Sequence, residues 1–90
     1  MGCNNTKDSS VPTMLCFFET GREDQASYCL KLRDSFQNEK TINYQIKSGA
    51  NMPFSIQFKI KGKVKVIQDS FDDSDIALNN SLQKMYNLLR

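Results

Sequence analysis

Residues 52–68, Met-Pro-Phe-Ser-Ile-Gln-Phe-Lys-Ile-Lys-Gly-Lys-Val-Lys-Val-Ile-Gln, constrain the fold more than any other stretch. Phe54, Ile56, Phe58 and Ile60 alternate with Ser55, Gln57, Lys59 and Lys61, the period-2 pattern of a strand buried on one face. Past Gly62 the alternation resumes through Lys63, Val64, Lys65 and Val66, so the segment reads as a β-hairpin. Keeping Phe58, Ile60, Val64 and Val66 on one face calls for an odd-length loop, because a one-residue slip turns every apolar side chain outward. Lys61-Gly62-Lys63 meets that requirement, with Gly62 free to take positive φ. In that register Lys59 faces Lys65, a mildly destabilising like-charge pair that a solvated face or an anionic partner relieves.

The other elements follow from the same patterning. Thr13-Met-Leu-Cys-Phe-Phe18 is a continuous apolar run, expected of a central strand covered on both faces. Thr20-Gly21 breaks it. Residues 23–38 turn helical, with Tyr28, Cys29, Leu32 and Phe36 along one side. Ile42, Tyr44 and Ile46 alternate with Asn43, Gln45 and Lys47 in a second strand. After the hairpin, residues 69–75 offer caps and first-turn carboxylates for a helix carrying Leu78, Leu82, Met85 and Leu89. The order is β-α-β-β-β-α. Because three of four strands alternate, both helices are expected on one face, leaving Asn43, Gln45, Lys47, Gln57, Lys59 and Lys65 on the other. A right-handed β-α-β crossover sets the first two strands parallel in a mixed, four-stranded α+β sheet.

Ninety residues suit one domain, residues 13–90, behind a polar flexible tether, residues 1–12. Hydrophobic content of 39% with six Phe supports a modest core, and no apolar run approaches the ~20 residues of a membrane span. Twelve basic and ten acidic residues leave a net charge of +2, which argues against a dedicated nucleic-acid binder. Single-strand binding on the open sheet face also wants exposed stacking aromatics, whereas Tyr44, Phe54 and Phe58 are in phase with the core. There is no His, and Cys3, Cys16 and Cys29 have no paired short spacing. A metal site and a multi-disulfide framework are therefore unsupported, and a reducing compartment is expected.

Met1-Gly2-Cys3-Asn4-Asn5-Thr6 matches the N-myristoylation pattern, with Gly2 the acceptor after Met removal. Cys3 is placed for palmitoylation. One acyl chain binds a membrane only marginally, and Lys7 is offset by Asp8, so the thioester at Cys3 would supply the second signal. The expected address is the cytoplasmic face of a membrane. Without a signal sequence, the sequons at Asn4 and Asn79 are coincidental.

The element order, Met52-Pro53 entering the third strand, Tyr28-Cys-Leu-Lys-Leu-Arg-Asp-Ser-Phe36, Phe54-Ser-Ile-Gln-Phe58 and Gly62-Lys63-Val64 together resemble the thioredoxin fold in its selenoprotein W-like (Rdx) form. That resemblance implies a Cys-x-x-Cys or selenocysteine motif at the first strand-helix turn and a cis-proline beside it. Pro53 is similar to that proline, but the motif positions fall near Glu19 and Arg22, neither of them a thiol. Thiol-disulfide exchange needs an activated thiolate and a resolving thiol. The chain therefore reads as a non-enzymatic, lipid-anchored thioredoxin-like adaptor for a protein partner, without cofactor. Lys47, Lys59, Lys63 and Lys65 on the open face are the candidate contact with a membrane or other anionic partner. Cys16 and Cys29 read as small core residues. In a second reading, a membrane-tethered oxidoreductase works through Cys29.

Overall fold

The computed structural model describes residues 11–36 and 41–90. The helix predicted to Asn38 is thus followed to Phe36, and the acyl acceptors Gly2 and Cys3 lie outside the described residues. The order is β1 (Thr13–Glu19), α1 (Glu23–Phe36), β2 (Asn43–Gly49), β3 (Ser55–Ile60), β4 (Lys63–Gln68) and α2 (Asp75–Leu89). The four strands form one mixed sheet, β2-β1-β3-β4, with β1 parallel to β2 and the other pairs antiparallel. The apolar run is the central strand, as its composition requires. Pro12, assigned to the tether from sequence, already belongs to the domain: it is buried, and its carbonyl accepts the Asn43 N–H at 2.9 Å.

Both helices pack on the sheet face that presents Met14, Cys16, Ile56 and Phe58, all fully buried with Tyr28, Leu32, Phe36 and Met85. The Phe36 ring sits edge-on to Phe58 at 6.1 Å and to Tyr86 at 4.8 Å, joining α1, β3 and α2. Ser74 caps α2, its hydroxyl accepting the Ala77 N–H at 3.1 Å. Among the described residues no helix covers the second face, so the expectation of two covered faces for β1 is corrected. Leu15 and Phe17 there are half-buried, flanked in register by Gln45 and Gln57 and by Lys47 and Ser55.

The hairpin register differs from the expected one. Ile60 pairs with Lys63, so the loop is two residues long, and both Lys61 (φ 52°) and Gly62 (φ 81°) take the left-handed conformation. Such a turn follows the right-handed twist of the strands, and that match outweighs the strain of a non-glycine residue at Lys61. The even-length loop inverts β4. Phe58 lies opposite Lys65 and Lys59 opposite Val64, which brings Lys63 and Lys65 to the helix side and turns Val64 and Val66 to the open face, about half exposed. Lys59 and Lys65 therefore do not confront one another. A register shift between Ile56 and Gln57 makes Ile67 an extra residue in β4; after it Ile67 is buried and Gln68 reaches the core. The bulge rescues the inward phase only at the far end of the strand.

Candidate functional site

The turn after β1 occupies the position where the resemblance implies redox chemistry. Gly21 takes φ 90°, a conformation that glycine adopts without steric cost, and the Arg22 N–H closes onto the Glu19 carbonyl at 3.0 Å. The carbonyl of Gly49 accepts both the Thr20 N–H (3.1 Å) and the Met52 N–H (3.2 Å), tying the loop that precedes Pro53 to the same turn. Gln25, buried in the first turn of α1, accepts the Glu19 N–H at 3.3 Å. Backbone and amide groups hold the turn.

Its side chains are exposed, and Arg22 is paired. The Arg22 guanidinium makes a two-pronged contact with Asp24, at 3.1 and 3.0 Å, and its carbon lies 5.6 Å from the centre of the Phe71 ring. Hydrogen bonding to Arg22 holds the Asp24 carboxyl below its ordinary range, and the same bond holds the guanidinium above its own. Under this lid Tyr28, Phe54 and Phe71 meet edge to face, with centroids 5.2–6.0 Å apart. Glu19 and Arg22 are thus assembled at one turn with an aromatic floor. No thiol is among them, and Pro53 itself is exposed.

Below the aromatic floor Gln68 joins four elements. Its Oε1 accepts the Tyr28 and Ser81 hydroxyls, each at 2.8 Å, and its Nε2 donates to the Ser70 and Asp72 carbonyls at 3.0 and 3.1 Å. All four hydrogen-bonding positions of the amide are used. Burial raises the Tyr28 pKa above its ordinary value, while the bonds at the hydroxyl oppose that rise. Sequence reasoning missed Gln25, Gln68 and Phe71. The signal for Gln68 was a polar residue at the close of an apolar strand, and it became inward-facing only through the bulge.

The sulfurs of Cys16 and Cys29 are bonded to each other, and neither residue has exposed surface. This corrects the reading of two separate core thiols. Cys16 points inward from the middle of β1 and Cys29 lies on the apolar stripe of α1, so the two patterns that made each a core residue also brought them together. A bonded, sealed Cys29 offers no thiolate to a substrate.

The four candidate lysines do not form one surface. Lys47 and Lys59 share the open face at opposite ends, since Lys47 pairs with Phe17 and Lys59 with Thr13. Lys63 and Lys65 flank Ile60 and Leu88 on the helix side. Among the described residues no three His, Cys, Asp or Glu side chains converge where they would share a metal ion, and no helix is long and apolar enough to cross a membrane. The chain matches no protein-family model, no curated protein and no solved structure.

Proposed function

We propose that the chain is a non-enzymatic thioredoxin-like module, acylated at Gly2 and Cys3 and held at the cytoplasmic face of a membrane, where it serves as an adaptor for a protein partner. The observation that carries this reading is the state of the sulfurs. The turn 19–22 has none, and the Cys16–Cys29 bond is wholly buried. A turnover thiol must be reached by its substrate, and exchange proceeds by a thiolate attacking a sulfur it can touch. What the turn does offer is recognition: a fixed guanidinium-carboxylate pair over an aromatic floor, at the mouth of a rigid sheet.

A disulfide is uncommon in a reducing compartment. Full burial reconciles the two, because glutathione thiolate has no path to either sulfur while the domain stays folded. The bond closes a loop spanning 13 positions, for which chain-entropy reasoning gives a stabilisation of about 3 kcal/mol.

The pairing also motivates the competing reading, a tethered oxidoreductase using Cys29, and one set of measurements separates them. Intact mass of protein from its native cells should show two acyl chains, and the purified domain should reduce insulin no faster than its Cys29→Ser variant. A free or acetylated amino terminus removes the anchor. Insulin reduction that Cys29→Ser abolishes replaces the adaptor with an enzyme.

A further inference from the structure

The fold sorts its charge by end. β1 enters at Thr13 opposite Lys59, and the β3-β4 turn at Lys61-Gly62 lies beside that entry. Lys59, Lys61, Lys63 and Lys65 therefore gather where the amino-terminal segment joins the domain, and all four are exposed. Both helices finish at this end, with Leu88 completing a shallow depression between Ile60 and the stems of Lys61, Lys63 and Lys65. Both helices begin at the other end, where residues 19–24 and 69–75 hold seven of the ten acidic residues. Among the described residues the ion pairs are Arg22–Asp24 and Arg33–Asp34, neither of which involves a tip lysine.

We propose that this basic tip is a docking surface for an anionic phospholipid bilayer, which the domain meets end-on, hairpin turn first. The inference deepens the tethered reading and rests on it only for the direction of approach. Eleven residue steps separate Gly2 from Thr13, a reach of at most about 40 Å, and a chain anchored at Gly2 is attached to its domain at the lysine end. The six steps of β1 set the acidic end about 20 Å further out, beyond two Debye lengths of ~8 Å in physiological salt. The repulsion of that end is screened while the attraction of the tip is not. Exposed Val64 beside Lys59, with the stems around Leu88, supplies apolar surface suited to the interfacial layer. Lys47, four residues up the ladder on the opposite side of β1, stays away from the contact. The described tip presents no exposed aromatic for a base to stack on, which favours lipid over single-stranded RNA.

Vesicle co-sedimentation of the full chain, unmodified and myristoylated at Gly2, tests the proposal with phosphatidylcholine alone and with about one third phosphatidylserine. Lys63→Glu/Lys65→Glu should lose about 30-fold or more in affinity for the anionic vesicles, from two surface charges at ~1 kcal/mol each. Lys31→Glu/Lys47→Glu, of identical net charge, should lose less than about threefold by the same scale. Lys59→Ser/Lys61→Asn provides a second tip variant whose turn tolerates positive φ, read beside circular dichroism to confirm folding. Equal losses in both Glu pairs, indifference to phosphatidylserine, or tighter binding to a single-stranded RNA oligonucleotide overturns the docking surface. Acyl-driven binding that ignores the lysines leaves the tether and removes the dock. Lysine-dependent binding by a natively unacylated chain does the reverse.

Discussion

The end of the fold where the helices begin joins a network of polar groups to its aromatic triangle, and the end where they finish is held by rings. At the first, Gln25 and Gln68 satisfy backbone and hydroxyl partners from β1, α1, α2 and the loop before it, and Arg22 closes over an aromatic triangle. At the second, Phe36, Phe58 and Tyr86 interlock and the surface is left to solvated lysines. The contrast has a physical origin. The loops before α1 and α2 bury backbone groups that must find partners, whereas the hairpin turn at the tip is two residues long and faces water. On the proposed reading, specificity of contact is built at the turn end and long-range attraction at the tip.

Three substitutions probe that contrast. Phe36→Ala, which empties a fully buried site between α1, β3 and α2, should cost about 3–5 kcal/mol, read as a lower urea midpoint at unchanged slope. In a domain whose total stability is on the order of 5–10 kcal/mol, that is the largest single loss we expect. If it costs no more than a surface change, the tip is not held by its rings.

Gln68→Leu keeps the volume but orphans the Tyr28 and Ser81 hydroxyls, both buried, and should cost about 2–4 kcal/mol, from two groups in the lower part of the ~1–3 range for an unsatisfied group. Adding Tyr28→Phe and Ser81→Ala should return part of that loss, because an apolar replacement leaves nothing unpaired. A triple variant worse than the single would show that Gln68 acts through its shape.

Arg22→Ala is the smallest effect, close to that of an ordinary surface substitution, since its partners Asp24 and Phe71 are met at the surface. It carries a pH signature whose sign is fixed. Asp24 has a folded pKa depressed below its unfolded value of 3.8, so its contribution is present above that value and is lost as pH falls through the lower, folded one. Thermal melts should converge with those of the wild type below that range and separate above it. A difference that persists in strong acid would assign the Arg22 effect to packing on Phe71.

The parts of the fold that were legible were those in which one residue pattern admitted one structure. Tyr28, Cys29, Leu32 and Phe36 could only be a helix stripe, and Phe54, Ile56 and Phe58 only an inward row. The hairpin return was not legible, because the alternation of Lys63, Val64, Lys65 and Val66 is equally regular in either phase. Assigning the valines to the core followed hydropathy, but the turn decided otherwise. At the candidate site, Glu19 and Arg22 could be located by counting from Tyr28, whereas Phe71 and Gln68 entered from loop and strand ends that carry no periodicity.

By itself, the amino-acid order determined the number, kind and sequence of elements and which side of each faces inward where the alternation is long, because periodicity is a local property of the chain. Tertiary structure alone decided the phase of β4, the union of Cys16 with Cys29, and the gathering of lysines at one end and carboxylates at the other. Those features depend on the left-handed pair at Lys61-Gly62, on the bulge at Ile67 and on strand directions. The turn is local, but its effect on β4, like the bulge and the strand directions, is set only where the closed sheet pairs one strand with the next.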